Sequence, residues 1–120
     1  MSEPAQPGWT CLTTRTGRYE YQFQGRVPAV RNGQYEDARD YQFLVMDEER
    51  WLYRIPVRLA AAAEAELGNA SEAASVRIAV AQLRAGLENY RPRQNAPYGE
   101  LDGYFAVDAA RARELAAESG

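Results

Sequence analysis

The hydrophobic period of the chain changes near its middle. Up to Ile55 apolar and polar residues alternate with a period of two, as in half-buried strands. From Pro56 onward apolar residues recur three and four apart, as in helices. Trp9 to Thr14 sets Trp9, Cys11 and Thr13 against Thr10, Leu12 and Thr14, which predicts a short strand followed by a turn at Thr16-Gly17. Arg18 to Gln24 alternates most cleanly, with Tyr19, Tyr21 and Phe23 on one face and Arg18, Glu20, Gln22 and Gln24 on the other. Asp40 to Met46 sets Tyr41, Phe43 and Val45 against Gln42, Leu44 and Met46. After an acidic turn at Asp47-Glu48-Glu49, Arg50 to Ile55 does the same with Trp51, Tyr53 and Ile55.

Between the second and third strands stands Asn32-Gly33, a hairpin signal because both central residues of a type I′ turn need positive φ. Unbroken pairing outward from that turn would set Phe23 against Gln42 and Gln24 against Tyr41, placing amides opposite aromatic rings. Directly opposed residues share a face, so a one-residue slip is required to restore the aromatic layer. A β-bulge is therefore expected around Gly25 to Pro28, where glycine and proline already disturb pairing.

In the second half, Pro56 suits the first turn of a helix over Val57 to Leu67, with Gly68 as its C-terminal stop. A second helix is expected to run to Tyr90, with Asn69 as its cap and Glu72 completing a capping box. Its apolar stripe is Ala73, Val76, Val80, Leu83, Leu87 and Tyr90, widened by Ala74, Ile78, Ala81 and Ala85. Arg91 to Gly103 is punctuated by proline and glycine and reads as a loop. Tyr104 to Val107 could add an edge strand, and Asp108 caps a last helix over Ala109 to Glu118. The pattern predicts an α+β fold: an antiparallel meander of four strands, five if Tyr104–Val107 joins, covered on one face by two or three alanine-rich helices. Residues 9–120 form a single domain in this reading, behind a flexible arm over residues 1–8.

Composition supports that picture and narrows the chemistry. Of the 120 residues 21 are alanine, so the 46% hydrophobic content holds few branched aliphatics, but 13 aromatics and a net charge of −3 argue for a folded core and against disorder. All 14 basic residues are arginine, and histidine is absent. Arginine in place of lysine together with this much alanine fits GC-rich coding. Its chemical consequence is that histidine-based triads, histidine metal sites, Schiff bases and lysine bases are excluded. The single cysteine, Cys11, excludes an intrachain disulfide and a cysteine-cluster zinc site, and reads as a small, buried apolar strand residue. Acidic residues lie in turns without the spacing of an ion-binding loop, so neither a metal nor a cofactor is expected, and no catalytic residue is assigned. The start of the chain lacks an apolar stretch and no run is long enough to span a bilayer, so a cytoplasmic protein with no membrane partner is expected.

Three features remain as candidates for function. The aromatic rings with Arg15, Arg18, Arg26 and Arg31 could form a sheet surface on which unpaired bases stack, with Tyr19 and Tyr21 as platforms. Residues 15–31 do carry four arginines against one acid. The stronger expectation is that those rings are the core the helices cover. The 73–90 helix could serve as a seam with a second copy of the chain, although its stripe packs equally well on the sheet. The long loop offers Arg91, Arg93, Asn95 and Tyr98 as donors for a partner. The expected function is a small non-enzymatic binding module for a protein partner or for a second copy of itself as a homodimer. Single-stranded nucleic-acid binding through the arginine and aromatic surface is the alternative.

Overall fold

A computed structural model describes residues 7–68 and 71–119, with the backbone alone at positions 98 and 119. Strands β1 (Thr10–Thr14), β2 (Gly17–Arg31), β3 (Gln34–Met46) and β4 (Leu52–Ala60) form an antiparallel meander. Helices α1 (Ala61–Glu66), α2 (Glu72–Asn89) and α3 (Tyr98–Asp102) follow, then a two-residue strand β5 (Ala106–Val107) and helix α4 (Ala109–Ser119). Strand order in the sheet is β1-β2-β3-β4-β5, and β5 runs parallel to β4. The α+β meander with a short fifth strand is thus the fold.

The β2–β3 hairpin turns at Asn32 and Gly33, whose φ values of 52° and 78° suit a type I′ turn, and Arg31 opposes Gln34. The register then shifts twice, between Pro28 and Val30 and between Phe23 and Gly25. Gln24 is the extra residue at the second shift, and beyond it Phe23 opposes Phe43. The slip that the aromatic layer requires is therefore present, as two irregularities bracketing Gly25 to Pro28. Phe23 packs against the rings of Phe43 and Tyr41 at centroid distances of 5.5 and 6.2 Å, a geometry that adds to their area burial.

The helices cover this aromatic face. Tyr19, Tyr41, Phe43, Val45, Ile55, Val57 and Leu59 from the strands are buried with Ile78, Ala79, Leu83 and Leu87 of α2, Phe105, and Ala112 and Leu115 of α4. Tyr21, Phe23 and Tyr53 are partly buried against them. Trp51 is not part of the layer. It lies 46% exposed in the turn before β4, where its backbone N–H donates to the Asp47 carboxylate at 3.0 Å and Arg50 takes a φ of 72°. Among the described residues no helix is long and apolar enough to cross a membrane.

Three helix expectations are corrected. Pro56 does not start a helix; it lies inside β4, opposite Gln42, and α1 begins only at Ala61. The physical reason is its edge. Arg58, two residues on, donates its N–H to the Phe105 carbonyl on the β5 side at 2.8 Å, so the donor that proline lacks would point the same way, past the end of the two-residue β5. In α2 the first helical residue is Glu72 and the N-cap is Ser71, without a side-chain cap bond, while Asn69 lies outside the described residues. Of the expected stripe, Ile78, Leu83 and Leu87 are buried and Val76, Val80, Ala81 and Tyr90 pack partly buried against the core, but Ala73 is exposed and the most buried line also takes in Ser75, Ala79, Gln82 and Gly86. Small and amide side chains were preferred on this line because of what packs there. A Cβ on Gly86 would lie 2.3 Å from the Phe105 ring, and Gln82 donates to the Tyr104 carbonyl at 2.6 Å while accepting from Arg111 Nε at 2.7 Å. No large apolar residue of α2 is exposed, so the apolar seam that suggested a twin helix is spent on the core.

Candidate functional site

At the Arg58 end of β4, charged residues converge that lie far apart in sequence. Asp40 and Arg58 oppose each other on the sheet face away from the aromatic layer. Both are more than nine-tenths buried, with Arg58 Nε 2.7 Å from Asp40 Oδ1 and Nη2 3.0 Å from Oδ2. Arg58 Nη1 also donates to Glu36 at 3.2 Å. Arg31 binds Glu36 at 2.7 Å and Asp102 of α3 at 3.3 Å. A forked guanidinium satisfies a carboxylate with two parallel bonds, and no buried polar side-chain atom among the described residues lacks a partner. The acids of the hairpin and the late loop thus meet around arginines, a convergence their spacing does not reveal. The network ties the hairpin, β3, β4 and α3 together.

The four arginines proposed for nucleic acid are dispersed and engaged. Arg15 binds Glu88 at 3.0 Å, and Arg26 donates to the Tyr41 hydroxyl at 3.3 Å beside Glu64 and Glu72. Arg31 stands at the exposed rim of the Arg58 network, bound to Glu36 and Asp102, and Arg18 donates from Nε to Cys11 Sγ at 3.1 Å. The bond that Arg26 donates to Tyr41, then the charges of Glu72 and Glu64, raise its pKa. Tyr19 is buried, with its hydroxyl 2.9 Å from Thr16 Oγ1, and Tyr21 packs edge-on against Phe43. Tyr19 thus belongs to the core, and Tyr21 lies partly buried against it. Cys11 is corrected as well: it is exposed, on the open face of the sheet.

The other end of β4 is open. Pairing with β5 is confined to Arg58 and Leu59, so from Leu52 to Ile55 the outer edge of β4 has no neighbouring strand among the described residues. Beside this edge runs the 91–97 loop, held by Arg93 Nη2 on Glu100 at 2.6 Å and by the Tyr90 hydroxyl on the same carboxylate at 3.4 Å; the Glu100 bond raises the Arg93 pKa. Pro92 is buried and anchors the loop, and Asn95 takes a φ of 63° at its crest. Between edge and loop lies a groove of about 390 Å³, walled by Leu52 to Ile55 on one side and Pro92 to Ala96 on the other, with Leu101 among its lining residues. Leu52 is 57% exposed. A second depression of about 280 Å³ on the open sheet face, lined by Gln24, Gln42, Leu44 and Pro56, shares Arg54 and Ile55 with the groove.

Of the loop residues chosen from sequence, Arg93 and Asn95 line this groove. Arg91 instead lines a neighbouring depression with Asp47, Glu48 and Glu49, and the Tyr98 side chain lies outside the described residues. Sequence reasoning missed Leu52 and Arg54, which were assigned to an ordinary strand. Their signal is Pro56 within a strand pattern, because proline marks an edge. Nearby, Tyr53 donates to Asp47 at 2.8 Å. Burial, then that bond and the Asp47 charge, push its pKa up to about 12. The chain matches no protein-family model, no curated protein and no solved structure.

Proposed function

We propose that the protein is a non-enzymatic binding module that engages a protein partner through the groove between the β4 edge and the 91–97 loop. The observation that carries this reading is the unpaired stretch Leu52–Ile55 lying beside a wall built by the loop. An open strand edge is a template for another chain, and here it is flanked by exposed Leu52 and by the amides of Gln94 and Asn95. The loop is held by its own ion pair and by buried Pro92, so the wall stands ready without a partner, which lowers the ordering cost of docking.

Selection of random peptides against the immobilised protein tests the reading. Enriched peptides are expected to bind the native chain and to lose at least tenfold in affinity on Leu52→Glu or Ala96→Trp, both at exposed or half-exposed positions of the groove. Enriched peptides that bind both variants as well as the native protein place the docking surface elsewhere. A second copy of the chain remains an eligible partner, and sedimentation across a concentration series distinguishes it: a constant monomer mass leaves only a different protein.

A further inference from the structure

Resting on that reading, we infer that the occupant of the groove is an extended acidic segment that adds to β4 as a strand, continuing the line of β5. The backbone supplies the first half of the argument. The Arg58 N–H points to the β5 side, and β4 keeps an unbroken register with β3 from Met46↔Leu52 to Ala38↔Ala60. Amides two residues apart in a strand point to the same side, so those of Arg54 and Leu52 also point into the groove. Neither has a partner among the described residues. Together with the carbonyls of Leu52, Arg54 and Pro56 they form a ladder that lacks its other half. Proline at 56 removes one donor and marks where the added segment gives way to β5.

Side-chain chemistry supplies the second half. Among the described residues that line the groove the charged ones are Arg54 and Arg93, one on each wall, and no carboxylate lines it. Arg93 already holds Glu100, whereas Arg54 is exposed and forms no ion pair among the described residues. Side chains opposed across neighbouring strands share a face, so alternate residues of an added segment lie beside Leu52 and Arg54 on the open face and the others lie toward Tyr53, Ile55 and Leu101. The segment the groove fits therefore alternates acidic residues, facing Arg54, with apolar residues, facing Leu101.

A short fluorescein-labelled peptide of alternating aspartate and valine, read by fluorescence anisotropy at low and moderate salt, is the probe. It is expected to bind saturably, at least tenfold tighter than its lysine–valine counterpart, and to weaken with salt. Methylation of every backbone nitrogen is expected to abolish binding if the peptide pairs as a strand, whichever direction it runs, a result that depends on no change to the protein. Arg54→Glu is expected to reverse the preference to the lysine peptide. Leu52→Pro removes one outward amide, as the native chain does at Pro56, and is expected to cost the aspartate peptide about tenfold with the thermal transition of the protein unchanged. Equal binding of both peptides, or full binding of the methylated one, overturns the inference. Peptides from the random selection that depend on the groove yet are basic or helical also overturn it, and leave the docking role of the groove intact.

Discussion

Arg54 and Arg58 project from the same face of β4, yet the fold treats them in opposite ways. Around Arg58 the strand is paired on both edges, by β3 and β5, and its guanidinium is buried in a bidentate bond to Asp40 with Glu36 alongside. Around Arg54 the strand is paired on one edge, and the side chain stands in water beside an open groove. The difference lies in what surrounds each guanidinium. A buried charge is tolerated only when its partners replace the lost hydration, so Arg58 is committed to structure. Arg54 has no such commitment, and its charge and backbone donors stay available to another chain.

The contrast predicts unequal costs, beginning with Arg58. Arg58→Ala leaves Asp40 buried with its main partner gone, and about 3–5 kcal/mol of stability should be lost in urea unfolding. A loss below about 1 kcal/mol would contradict the claim that this end of β4 is built around its ion network. Next comes the packing that holds β5 on the same end. Gly86→Ala places a methyl group against the Phe105 ring, which is 1% exposed, and should cost about 1–3 kcal/mol by the same measurement. Native-like stability there would show that β5 can move without loss.

At the open end the expected effects shrink. Tyr53→Phe removes the bond to Asp47 and should cost about 1 kcal/mol at neutral pH. Its pH dependence has a definite sign. The phenol titrates at the ordinary 10 when unfolded and at about 12 when folded, so its contribution is complete below pH 10 and is lost as pH rises from 10 toward 12. Unfolding midpoints of the native chain should fall more steeply over that window than those of the variant, and parallel declines would dissociate Tyr53 from the effect. Arg93→Ala breaks a pair in which the arginine is 68% exposed, for a cost between zero and about 1 kcal/mol. Arg54→Ala should change stability by no more than about 0.5 kcal/mol while weakening the aspartate peptide, and a larger loss would mean that the open end is also structural.

Much of the sheet was legible from local chemistry. Asn32-Gly33 announces its turn because few residues accept positive φ twice in succession, and the need to keep Gln24 and Gln42 off the aromatic layer predicts a register slip from the alternation alone. The helices were less legible. A three-four spacing in α2 is satisfied by more than one line of residues when alanine is everywhere, and the line that won contains Ser75, Gln82 and Gly86 because Phe105 and α4 arrive there from the far end of the chain. Of the groove, the loop and its residues Arg93 and Asn95 could be read from proline and glycine punctuation, but the strand edge opposite could not, since Pro56 was equally at home opening a helix.

The sequence by itself determined the α+β class, the meander, the aromatic layer and the exclusion of histidine and lysine chemistry. Alternation, turn propensity and side-chain inventory are properties of neighbours along the chain. Only the tertiary structure decided which carboxylates meet, which arginines are neutralised and which edge of β4 stays open. Those outcomes depend on where β5, α3 and the 91–97 loop return in space, and burial, the quantity that separates Arg58 from Arg54, belongs to the assembled fold.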